Sequence, residues 1–174
     1  TQNSIYRFWP GVGDTAQLDK VTSNLGLMAP RTLVEVGSGH IFLSQRGVYV
    51  FDGQVPRHVS PKVDSFIFDN STPGQLKHAT ATFNHRLNTY TIYFAGKDEA
   101  KIAQSYNNIG ISFDLRTQQI VWQPIIRGRH VSVINNYLDD NYRNQIVYGD
   151  YHGYLYKDNV GNNDGLGAAS GWNE

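Results

Sequence analysis

Three short segments of the sequence share one pattern: Gly47-Val48-Tyr49-Val50-Phe51-Asp52, Gly110-Ile111-Ser112-Phe113-Asp114 and Gly153-Tyr154-Leu155-Tyr156-Lys157-Asp158. Each is a glycine, three or four strand-forming residues and an aspartate. The middle copy is one residue shorter. Glycine accepts the backbone of a tight turn at no steric cost. Aspartate ends a strand by hydrogen-bonding the turn that follows it. A chain that carries such a unit three times is confined to architectures assembled from repeated hairpins.

The surrounding residues extend each unit. Thr32-Leu33-Val34-Glu35-Val36, His40-Ile41-Phe42-Leu43-Ser44 and Val48-Tyr49-Val50-Phe51 read as three strands separated by Gly37-Ser38-Gly39 and Gln45-Arg46-Gly47. Asp52-Gly53 is the strongest short hairpin signal. Residues 54–60 make a fourth strand. Its Pro56 lacks the N–H for a ladder bond, which predicts a sheet edge. The second unit has strands at 78–83, 89–94, 109–113 and 120–123, with a polar insertion at 96–108. The third has strands at 130–135, 145–148 and 153–158, with a polar loop at 138–144. First strands begin near Arg31, His78 and Arg129, 47 and 51 residues apart.

Four-stranded repeats of this length predict an all-β fold, a β-propeller or propeller segment of antiparallel four-stranded blades. The units span about 31–69, 78–126 and 129–158. A β-sandwich is the competing architecture, although it does not require internal similarity. Residues 1–30 read as the end of a preceding blade, with a strand at Ser4-Ile5-Tyr6-Arg7-Phe8-Trp9, followed by a crossing segment. Leu18, Val21 and Leu25 in that crossing fit a short helical turn or an irregular stretch, closed by Pro30. Residues 159–174 read as a loop or tail. Propellers close with about four or more blades. The chain is therefore expected to be a segment of a longer protein, the alternative being that the first strand completes the last blade.

Composition agrees. Eleven Tyr and eight Phe favour strands, and seventeen Gly imply many turns. Only 17% of residues are charged and the formal net charge is zero, so there is no general attraction to nucleic acid or membrane. Without cysteine, disulfides and thiolate zinc sites are excluded. No apolar run approaches the roughly 18 residues of a membrane-spanning helix.

The residue types that could carry chemistry form no recognised pattern. His40, His58, His78, His85, His130 and His152 include no metal-type pair on one helical face. His78 and His130 occupy matching repeat positions, which suits a structural role where the first strand begins. Asp14 and Asp19 are not placed in a shared cleft, as paired glycosidase carboxylates would be. Asp52, Asp114 and Asp158 are explained by turn chemistry. The run from Asp158 through Asn162 and Asp164 offers oxygen ligands. Val160, Asn163 and Ala169, however, stand where a calcium loop needs a ligand, a glycine and a glutamate. Arg127, Arg129 and Arg143 with Lys157 could form a local basic patch, although alternation places most nearby aromatics on buried faces. No catalytic site, metal or cofactor is expected.

The phrases Gly26-Leu27-Met28-Ala29-Pro30-Arg31, His40-Ile41-Phe42-Leu43-Ser44-Gln45-Arg46-Gly47-Val48-Tyr49-Val50-Phe51-Asp52-Gly53 and His58-Val59-Ser60 resemble propeller-containing structural proteins of tailed bacteriophages. These include tail nozzle (tubular) proteins and packaged-DNA stabilisation proteins. Ser4-Ile5-Tyr6-Arg7-Phe8 is similar to the strand that precedes such a segment. The likeness covers roughly residues 4–69, and the rest shares only the repeat. Family members are generally much longer than this chain. The resemblance implies a virion protein of the tail or head–tail junction, without enzyme activity or cofactor. It implies a homo-oligomeric ring that contacts neighbouring tail proteins and continues the genome channel, with passive DNA contact in its lumen. Two other readings remain: a carbohydrate- or protein-binding propeller acting in host-surface recognition, and a propeller glycosidase relying on Asp14 or Asp150.

Overall fold

A computed structural model of the chain describes residues 3–11, 15–96, 106–117, 119–122, 130–141 and 143–157. The fold is all-β and its sheets are antiparallel, in four groups. Strands β1 (Ile5–Trp9) and β2 (Gln17–Thr22) form a two-stranded sheet. The second strand corrects the expectation of a helical turn or irregular crossing. Gln17-Leu18-Asp19-Lys20 shows little apolar alternation, and its strand form is supported by the partner. Phe8 lies opposite Leu18 and Arg7 opposite Asp19. The first strand thus pairs with β2, and no described residue of the third meander joins it. Pro30 opens a 3-10 turn (Pro30–Thr32), where its fixed φ suits the first helical position.

The first meander contains β3 (Val34–Val36), β4 (Gly39–Ser44), β5 (Gly47–Phe51) and β6 (Arg57–His58), paired in that order. As Pro56 predicts, β6 is an edge. Two short helices follow, α1 (Asp64–Asn70) and α2 (Pro73–Leu76). The sequence pattern missed both, because Phe66, Ile67 and Phe68 are themselves strand-prone. Thr72 and Gln75 form a reciprocal capping box that starts α2.

The second meander has β7 (Thr80–Asn84), β8 (Thr89–Phe94), β9 (Ile109–Asp114) and β10 (Ile120–Trp122), in sheet order β10-β9-β8-β7. The third is β11 (Val131–Leu138), β12 (Asn144–Asp150) and β13 (Leu155–Lys157). The polar loop expected at 138–144 is shorter than expected. Leu138 already pairs with Asn144, and the Asp139 carboxylate accepts from the backbone N–H groups of Asn141 and Arg143.

The main core lies between the first two sheets and the helices. Ile41, Leu43 and Val48 meet Phe83, Tyr90, Ile92 and Phe113, and Ile67 and Leu76 fill the side. Full burial of each such side chain contributes about 1.5–3 kcal/mol. A second cluster of Tyr93, Val131, Ile134 and Tyr148 joins the second sheet to the third. All six residues of β8 are therefore buried. The first strand of the middle sheet, β7, lies against both β3 and β11, the first strands of its neighbours.

Candidate functional site

The densest polar constellation joins β6 to α1. The His58 Nε2 lies 2.8 Å from the Asp64 carboxylate, and the Ser60 hydroxyl donates to the other carboxylate oxygen. Ser60 Oγ in turn accepts the Val48 backbone N–H at 2.7 Å. The Tyr49 ring stacks on His58 at 4.9 Å. Burial, and then the Asp64 charge, push the Tyr49 hydroxyl pKa up, against the opposing effect of Arg46. Gly47 makes this arrangement possible, because a Cβ there would collide with His58 Nε2 and the Asp64 carboxylate.

Serine, histidine and aspartate are all present, but their connectivity does not activate a nucleophile. A hydrolytic triad sets histidine between serine and carboxylate. Here the wholly buried Ser60 donates to the carboxylate while accepting a backbone N–H, and His58 Nε2 lies nearer to that carboxylate, at 2.8 Å, than to Ser60 Oγ, at 3.4 Å. The cluster fixes β6 and the start of α1 to the first residues of β5. The sequence carried no signal for it beyond the residue types.

The remaining histidines are dispersed. His40 is exposed on β4. His85 sets its ring edge against Phe83 at 4.9 Å. His152 lies in the turn after β12, where its backbone N–H donates to Asp150. The matched His78 and His130 do sit where first strands begin, and Asn107 links these two places. Its side-chain NH2 donates to the carbonyls of His78 and Val131, both at 2.9 Å. The Tyr106 ring stacks on His130 at 4.7 Å and meets Tyr151 at 4.6 Å in a tilted arrangement.

Carboxylates at strand ends serve turns. Asp52 accepts the Gln54 N–H at 3.0 Å. Asp114 accepts the Arg116 and Thr117 N–H groups, and the Arg116 guanidinium holds its carboxyl far below the usual range. Burial pushes Asp150 up, but donors from Tyr154, Tyr156 and His152 outweigh it and leave its pKa lowered. Asp19 accepts the Trp9 indole N–H and pairs with Arg7. Arg143 is exposed at the β11–β12 hairpin tip, and Lys157 lies on β13 opposite Val147. Asp14, Arg127, Arg129, Asp158, Asn162 and Asp164 lie outside the described residues. Among the described residues, no three metal-binding side chains cluster, and no helix is long and apolar enough to cross a membrane.

One surface stands apart from these turn contacts. On the β1–β2 sheet, Tyr6, Phe8 and Leu18 occupy one face and are 46%, 62% and 65% exposed. The opposite face is organised. Arg7 lies over the Trp9 ring at 4.6 Å and donates to the Gly53 carbonyl, which fastens the hairpin to the first meander. Scanned against protein-family models and compared with curated proteins, the chain matches none.

Proposed function

We propose that the chain is a segment of a β-propeller and works as a structural element of a tailed-phage virion. It would form part of an oligomeric conduit or nozzle at the tail or head–tail junction, for genome retention and ejection. The observation that carries this reading is the adjacency of first strands, with β7 lying between β3 and β11. Innermost strands of successive blades are neighbours around an axis in this way. Arg31, just ahead of β3, adds a link by donating to the Ser132 carbonyl on β11 at 3.0 Å. The phrase-level likeness across residues 4–69 supplies the virion context.

In this reading the molecule acts by shape. Buried sheets make rigid blades, and an exposed aromatic face on the β1–β2 hairpin offers apolar area for neighbouring copies. The test is a mass measurement in solution by light scattering or native mass spectrometry. The expected result is a ring-sized assembly that is lost when Phe8 and Leu18 are both changed to serine. A strictly monomeric chain at about 100 μM, well above the Kd of most stable subunit contacts, would overturn it.

A further inference from the structure

The turn between β7 and β8 and the tip of the β11–β12 hairpin border an open cleft of about 480 Å3. One wall carries His85 and Arg86, and the other Asn136, Tyr137, Leu138, Arg143 and Asn144. Asn136 ties the walls together by donating to the Phe83 carbonyl at 2.7 Å. Each arginine is displayed by a fixed turn. The Arg86 N–H donates to Asn84 Oδ1 at 3.1 Å, and the Arg143 N–H to Asp139 Oδ1 at 2.8 Å.

The electrostatics are one-sided. Among the described residues, no carboxylate lines the cleft and neither guanidinium has an ion-pair partner. Of the two acids at the hairpin tip, Asp139 has its carboxylate engaged by Asn141, Arg143 and Gln145, and the exposed Asp140 does not line the cleft. A guanidinium is a planar fork that matches carboxylate or phosphate oxygens. Two such forks, two amides and a tyrosine ring meet the needs of a polar ring bearing one anionic group. The volume is within the range of small-ligand sites.

We infer that this cleft binds an acidic saccharide, with the sugar carboxylate between Arg86 and Arg143 and the hydroxyls on Asn136, Asn144 and Tyr137. A polynucleotide fits less well. It needs a track of cations for successive phosphates, and this cleft has two arginines on a chain of zero net charge. The inference does not depend on whether copies of the chain assemble.

The experiment is an NMR titration of the 15N-labelled chain with N-acetylneuraminic acid and glucuronic acid, compared with glucose and a short oligo-dT. The acidic sugars should shift the amides of residues 85–86, 136–138 and 143–144, saturating in about the millimolar range. R86A and R143A should each weaken binding about tenfold, and R86K should retain part of it. Glucose shifting the same amides equally, oligo-dT binding in preference, or no shift at about 10 mM sugar would each overturn the proposal. The wild-type comparison depends on no variant.

Discussion

Tyr90, wholly buried on β8, donates its hydroxyl to the Thr32 carbonyl 2.8 Å away in the 3-10 turn that leads to the first meander. The bond ties the second sheet to the turn ahead of the first, between residues 58 apart in sequence. Burial pushes the Tyr90 hydroxyl pKa far above its ordinary value, so the phenol stays a donor throughout the accessible pH range. In Tyr90→Phe the ring would still fill its space, but the buried Thr32 carbonyl would lose this donor. The expected loss is about 1–3 kcal/mol, read from urea unfolding. An unchanged midpoint would mean that the bond contributes nothing.

Gly47 and Gly53 offer a controlled comparison. Both have positive φ, at 123° and 96°. A Cβ at Gly53 would meet open space, whereas one at Gly47 would strike His58 and Asp64. Gly53→Ala should therefore cost only the backbone strain, about 1–2 kcal/mol. Gly47→Ala should cost more than about 2 kcal/mol, because the His58–Asp64 pair must also give way. Equal losses in denaturant unfolding would show that the pair has room to move.

These residues also mark how far the sequence could be read. Strands β3, β4 and β5 were legible because Val, Ile and Phe alternate between glycine and aspartate turns, a local signal. Strand β2 was not, since Leu18 is exposed and its pairing is set by β1. Helix α1 was hidden because its helical form depends on tertiary burial. Ile67 is wholly buried, and Phe66 packs edge-on against Phe94 at 6.3 Å. The turn roles of Asp52 and Asp114 were readable, because a carboxylate acts within three residues of itself. The His58–Asp64 pair and the cleft between Arg86 and Arg143 were not. They arise where separate turns meet, and no spacing rule encodes that meeting.

Acid should destabilise the fold through its turn carboxylates. Asp114, Asp139 and Asp150 all have lowered pKa values. The causes are led by the Arg116 side chain for the first and the Arg143 N–H for the second, and for the third they are backbone and tyrosine donors that outweigh burial. A group with a lowered folded pKa binds protons more readily when unfolded. Its contribution is complete above the unfolded aspartate value of about 3.9, and is lost as pH falls through the folded value. The urea midpoint should hold from neutral pH to about 5 and then decline toward about 2. Asp114→Asn should be less stable at neutral pH but should decline less on acidification. A profile parallel to that of the wild type would remove Asp114 from the account.

Asn107 gives the sharpest reversal. It is wholly buried, and its side-chain NH2 bridges the His78 and Val131 carbonyls while its backbone carbonyl accepts the Val131 N–H. Asn107→Ala removes two side-chain donors from carbonyls that anchor the second and third meanders, at about 2–3 kcal/mol. Asn107→Asp replaces the NH2 with a carboxylate oxygen facing two carbonyls in a buried place. That environment disfavours the charged form and should raise the new carboxyl's pKa in the folded state. A raised folded value means that the penalty is full at neutral pH and is relieved as pH falls through it, when the protonated acid regains one donor. Between pH 7 and about 5 the Asp variant should therefore gain stability while the wild type stays flat. Unfolding curves across that interval decide the point, and a variant that tracks the wild type would show that the Asn107 side chain does not bridge the two strands.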